Sequence, residues 1–135
     1  MGEIPSDAAA IRIVLAARHV TVRVGFKEFL SSLDGVLVVG EAGDCEEAVG
    51  LVARLRPDVA VLDCNNALDR CPPTVREIKR RSPGTRVVVV DLDPAAEPAA
   101  RAAGADAFLL KGCPSSQLVE ALRSALEPHG KSVGR

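Results

Sequence analysis

The sequence predicts an α/β fold: five β-strands, each followed by an α-helix, in a doubly wound parallel sheet of order 2-1-3-4-5. Three observations predict it. Short β-branched or aliphatic runs alternate with amphipathic stretches, and Pro and Gly fall between them. Aromatic residues are nearly absent, Phe26, Phe29 and Phe108 being the only three, so Val, Leu, Ile and Ala must fill the interior, as a sheet buried on both faces allows.

The elements follow in order. Residues 11–16, 36–39, 59–62, 87–90 and 107–110 are the apolar runs that read as strands. Val22, Phe26, Phe29, Leu30 and Leu33 recur at helical spacing, as do Ala48, Leu51, Val52 and Leu55, and later Leu118, Ala121, Leu122 and Ala125. Arg56-Pro57-Asp58 closes the second helix, Pro72-Pro73 suits the first turn of the third, Ser82-Pro83-Gly84 closes it, and Gly104 follows the fourth. One domain is expected over residues 11–126, with residues 1–10 as a flexible lead and 127–135 as a flexible tail.

Bulk properties narrow the function classes. The chain has 135 residues, enough for one buried core, and 47% hydrophobic with 26% charged residues is a globular composition. Seventeen basic against eighteen acidic residues give a net charge of −1 without long blocks of either sign, so nothing points to nucleic acid. No apolar run approaches the ~20 residues of a membrane span. Cys45, Cys64, Cys71 and Cys113 are irregularly spaced, without a C-x₂-C pair or a signal peptide. Reduced thiols in a cytoplasmic protein are therefore expected, and neither a zinc nor a redox centre. Neither G-x-G-x-x-G nor a P-loop follows the first strand, which argues against a nucleotide- or flavin-dependent enzyme.

In an open parallel sheet, ligands bind beyond the carboxyl ends of the strands. The chemistry-bearing residues there are Arg18 and His19, Asp44 and Cys45, Asp63, Cys64 and Asn65, Asp91 and Asp93, and Lys111. His19 has no Ser or Cys motif nearby with which to form a triad, and reads as a loop residue.

The run Arg56-Pro57-Asp58-Val59-Ala60-Val61-Leu62-Asp63 resembles the third-strand signature of bacterial response-regulator receiver domains. Gly40-Glu41-Ala42-Gly43-Asp44, the stretch from Ser82-Pro83-Gly84 to Val89, and the stretch from Ala103-Gly104-Ala105-Asp106 to Lys111 are also similar to that family, closest to its NarL/FixJ-type branch. The resemblance covers residues 11–126 and implies a flavodoxin-like fold and a role in two-component signalling rather than an enzyme. It places Asp63 at the phosphoacceptor position, Lys111 at that of the supporting lysine, and Phe108 at that of the switch aromatic. The partner it implies is a sensor histidine kinase or another regulator, with a homodimer also in view. The family's helix-turn-helix would follow the fifth helix, so this chain is not expected to bind DNA directly.

Departures from the family pattern centre on the acceptor. Two acids normally follow the first strand and, with the acceptor, hold a divalent cation; Ala17 and Arg18 stand there, and Asp91 replaces the usual Ser or Thr. A hard cation needs oxygen ligands, so Mg²⁺ binding is expected to be weak or absent, with no other cofactor. Phosphoryl transfer depends on neutralising charge on the moving oxygens, and Asp91 adds charge of the wrong sign. Asp63 and Asp91 balance Arg18 and Lys111, and a charge pair at ~4 Å is worth about 4 kcal/mol at an effective dielectric of ~20 before desolvation. One reading therefore puts Arg18 in the metal's place in a closed network; the other leaves it solvated ahead of the first helix. Two functions stand open: phosphorylation-independent protein-protein interaction, and an altered but working acceptor at Asp63. The acceptor loop, residues 63–71, is about one residue longer than usual, and the fourth helix reads as short and Ala-rich.

Overall fold

A computed structural model of the chain describes residues 10–64 and 70–126. The lead before Ala10, the middle of the acceptor loop at 65–69 and the tail at 127–135 lie outside them. Ala10 itself, counted above with the lead, is 1% exposed.

The chain order is β1 (Ile11–Ala17), α1 (Val20–Ser31), β2 (Val36–Ala42), α2 (Cys45–Leu55), β3 (Val59–Asp63), α3 (Cys71–Arg81), β4 (Arg86–Asp91), α4 (Glu97–Ala103), β5 (Ala107–Leu110) and α5 (Ser115–Leu126), with a single 3₁₀ turn at Pro94–Ala96 before α4. All strand pairs are parallel, in the order β2-β1-β3-β4-β5 that the sequence predicts.

Strand alternation divides the core into two layers. Ile11, Ile13, Leu15, Val59, Val61, Val88 and Val90 face Leu30 of α1 and Leu118 and Leu122 of α5. Val14, Ala16, Ala60, Leu62, Val87 and Val89 face Ala48 and Val52 of α2, Val75 and Ile78 of α3, and Ala100 of α4. Burial on both faces is why the strands read as unbroken aliphatic runs rather than as alternating apolar and polar residues.

Three of the family-like motifs turn out to hold the amino ends of the strands. Asp58 accepts from the Arg12 amide through Oδ2 at 2.9 Å, fixing β3 beside β1. Buried Thr85 donates to the Pro57 carbonyl at 2.7 Å and shares a 2.7 Å hydrogen bond with Ser82. Asp106 accepts from the Val87 amide at 2.8 Å and pairs with Lys79 of α3 at 3.1 Å. Gly104, at φ 117°, ends α4 where a Cβ would lie 3.1 Å from the Lys79 side chain.

Candidate functional site

Register places the expected residues side by side at the carboxyl ends of the central strands. Ala17 lies beside Asp63 across β1 and β3, and Asp91 beside Leu110 across β4 and β5. The Lys111 amide donates to the Asp91 carbonyl at 2.8 Å, which carries the lysine out of β5 toward the sheet centre. Its Nζ donates to Asp63 Oδ2 at 2.9 Å. The Asp63 side chain is 1% exposed and that of Lys111 22%, so the carboxylate is buried while its cation keeps contact with water. Asp63 Oδ1 is also buried and meets no hydrogen-bond donor among the described residues.

Arg18 does not join this pair. Arg18 is exposed and makes no ion pair among the described residues, so the reading that puts its guanidinium in a metal's place is corrected to the solvated one. The chain leaves the sheet at Ala17 and bends through Arg18 into α1, and a guanidinium there keeps its hydration rather than losing it to a buried carboxylate. Asp91 is 0% exposed, and its Oδ1 accepts from the Asp93 amide at 3.0 Å, which braces the turn after β4.

A different cation reaches the end of β1. Arg23, from the second turn of α1, donates through Nη1 to the Ala17 carbonyl at 2.7 Å and lies 3.7 Å from Glu41, which also pairs with Lys27 at 2.8 Å. Nothing in the sequence marks Arg23, because its role depends on how α1 folds back over the strand end. Asp44 is a helix cap: its Oδ1 accepts from the Glu47 amide, and Glu47 accepts from the amide of Gly43, the residue before the cap, both at 2.8 Å, so the pair resembles a capping box shifted by one residue. Phe108 is half-buried against the α2–α4 layer of the core.

Beside Asp63 lies a small cavity of about 70 Å³, whose wall includes Ala17, Arg18, Cys45, Cys64, Arg70 and Cys71. The expectation of reduced thiols is corrected here: Cys64 and Cys71 are joined in a disulfide, with Cα atoms 5.9 Å apart. Spacing alone does not reveal the bond, since it joins the end of β3 to the first residue of α3, two points that only the fold makes neighbours. Cys45 and Cys113 are free thiols, and Cys113 lies elsewhere, against α1 and α5.

A divalent cation at Asp63 would need further oxygen donors. The adjoining positions supply the Ala17 methyl and the exposed Arg18 guanidinium, and among the described residues no three His, Cys, Asp or Glu side chains are grouped to hold an ion. At the end of β1 the described residues therefore offer Asp63 no second carboxylate of the kind a hard cation needs.

Comparison with known proteins agrees with this architecture. The family model "Response regulator receiver domain" matches residues 13–123. The nitrate/nitrite response regulator NarL of Escherichia coli K12 is 32% identical over 122 residues, 89% of this chain and 56% of its own. The response regulator GacA of Pseudomonas aeruginosa is 30% identical over 84% of this chain and 54% of its own. The chain thus spans about half the length of the curated relatives it matches. Among solved structures, the receiver domain of a NarL from Mycobacterium tuberculosis superposes with a TM-score of 0.79 at 30% identity, covering 87% of this chain and 97% of that one. A LuxR-family response regulator from Aurantimonas gives 0.81 at 27% identity, covering 91% and 88%. With its sheet order, its Asp63–Lys111 pair and a family match over most of its length, the chain belongs to the response-regulator receiver family.

Proposed function

We propose that this chain is an atypical receiver domain that signals by binding a protein partner, without metal-dependent phosphorylation of Asp63. The observation that carries the reading is the setting of Asp63: its carboxylate is held by Lys111, while Ala17 and Arg18 occupy the two places from which acids would complete a cation site. Buried Asp91 supports it, since a second carboxylate at the end of β4 opposes the charge of an incoming phosphoryl group. On this reading the chain binds rather than catalyses, needs no Mg²⁺, acts in the cytoplasm, and has as partner a histidine kinase or another regulator, or a second copy of itself. No helix among the described residues is long and apolar enough to cross a membrane.

A second reading, a working acceptor phosphorylated by a sensor histidine kinase, is favoured by the retained Asp63–Lys111 contact, because the lysine that now holds the carboxylate could follow a phosphate. Incubation with Mg²⁺ and acetyl phosphate, read by intact mass with Asp63→Asn as control, separates the two. The proposed function expects no adduct. A labile phosphoryl adduct that disappears in Asp63→Asn overturns it in favour of the second reading.

A further inference from the structure

The Cys64–Cys71 bond lies in the wall of the same cavity as Asp63, and it joins the residue that follows β3 to the first residue of α3. Cys64 follows Asp63 directly, and its amide donates to the Val90 carbonyl at 2.8 Å. Cys71 opens α3 and is followed by Pro72 and Pro73, whose rings restrict the backbone of that first turn. The 5.9 Å between their Cα atoms falls within the span a disulfide bridges without moving the backbone. The two sulfurs differ in access: Cys71 is 3% exposed, whereas Cys64 is half-buried.

We propose that Cys64 and Cys71 form a reversible thiol-disulfide site that exchanges with low-molecular-weight thiols and disulfides, and that its oxidation state sets how firmly α3 is held over Asp63. In the oxidising direction, the Cys64 thiolate attacks one sulfur of a small disulfide, whose S–S bond breaks and releases one thiolate. The Cys71 thiolate then attacks the Cys64 sulfur, forming the Cys64–Cys71 bond and expelling the second. Two electrons pass from the protein to the small disulfide, and the two cysteine protons end on the two released thiols. Reduction runs in reverse, with an external thiolate attacking Cys64, the accessible sulfur, and consuming two thiols.

The bond ties the carboxyl end of β3 to the amino end of α3, whose Thr74, Val75 and Ile78 are buried against the sheet. Breaking it releases that tether one residue from Asp63, so the site takes a redox input where a phosphoryl input would ordinarily act. This concerns the same site as the proposed function but does not rest on Asp63 being unphosphorylated, so the acetyl phosphate experiment and the following one fail independently.

The full chain is equilibrated in glutathione and glutathione disulfide at graded ratios, quenched in acid, alkylated, and read by intact mass and peptide mapping; amide exchange is followed at Thr74 and Val75. The pair is expected to oxidise in glutathione disulfide with loss of two hydrogens, to yield a Cys64–Cys71 cross-linked peptide, and to reopen in excess glutathione. Exchange in the first turn of α3 is expected to slow by about fivefold or more on oxidation. Cys64→Ser and Cys71→Ser should each abolish both responses, and Cys45→Ser neither. A pair that stays reduced in glutathione disulfide, stays oxidised in excess glutathione, links through Cys45 instead, or closes without altering exchange overturns the proposal.

Discussion

At Asp63 a buried carboxylate and a partly exposed ammonium hold each other, and the chemistry of the site follows from that imbalance. The aspartate side chain is 1% exposed, so removal of Lys111 leaves a charge in the interior. Loss of one partner of a fully buried pair costs about 3–5 kcal/mol. Because the Lys111 side chain is 22% exposed, Lys111→Met is expected to cost less, about 1–3 kcal/mol, read by urea unfolding. Adding Asp63→Asn to that variant should recover most of the loss. The residues of this site were legible in the sequence as a set of positions after strand ends, because the family-like motifs fix where each strand stops. Their partners were not. Arg18 and Arg23 are both arginines near the same strand end, and only the path of α1 decides that Arg23 reaches the Ala17 carbonyl while Arg18 stays in water. The Cys64–Cys71 bond escaped for the same reason: seven residues of separation give no signal until β3 and α3 are in place.

At the level of elements, helix ends show where the fold tolerates strain and where it does not. Arg56 terminates α2 at φ 46°, the only positive-φ residue other than glycine among the described residues. A side chain in this left-handed region costs about 1–2 kcal/mol, and helices commonly end there on glycine. Arg56→Gly is therefore expected to stabilise the chain by about 1 kcal/mol, seen as a higher urea midpoint. On α3, hydrogen bonds from Arg80 and then Arg81 lower the Glu77 carboxyl from 4.5 to about 2. A carboxylate with a depressed folded-state pKa stabilises fully above its unfolded value and loses that contribution as pH falls through the folded one. The pairing should therefore hold above about pH 4.5 and fade toward pH 2, and Glu77→Gln should remove that pH dependence. The effect is expected to be small because the pair is at the surface, and carboxyl NMR titration of Glu77 measures it directly. Helix positions were largely legible, since stripes such as Ala48, Leu51, Val52 and Leu55 all fall within α2. The 3₁₀ turn at Pro94–Ala96 before the seven-residue α4 was visible only as shortness, because Pro94 ends one pattern without stating which turn replaces it.

Across the whole molecule, one sheet with aliphatic layers on both faces carries at its carboxyl end the Asp63–Lys111 pair, with Ala17 and the Cys64–Cys71 disulfide beside it. The fold was readable because a doubly covered parallel sheet writes itself as short runs of Val, Ile and Leu between amphipathic helices. What such a site does was less readable, since function resides in a few side chains rather than in the fold. The central claim is that Ala17 and Arg18 deprive Asp63 of its cation site. The most direct test is calorimetric titration of Mg²⁺ into the wild-type chain and into Ala17→Asp/Arg18→Asp side by side. The double variant is expected to bind at least about tenfold more tightly, a difference of about 1.4 kcal/mol, with little or no heat from the wild type. Equal affinity in the two proteins would contradict the account and return Asp63 to the ordinary metal-dependent chemistry of its family.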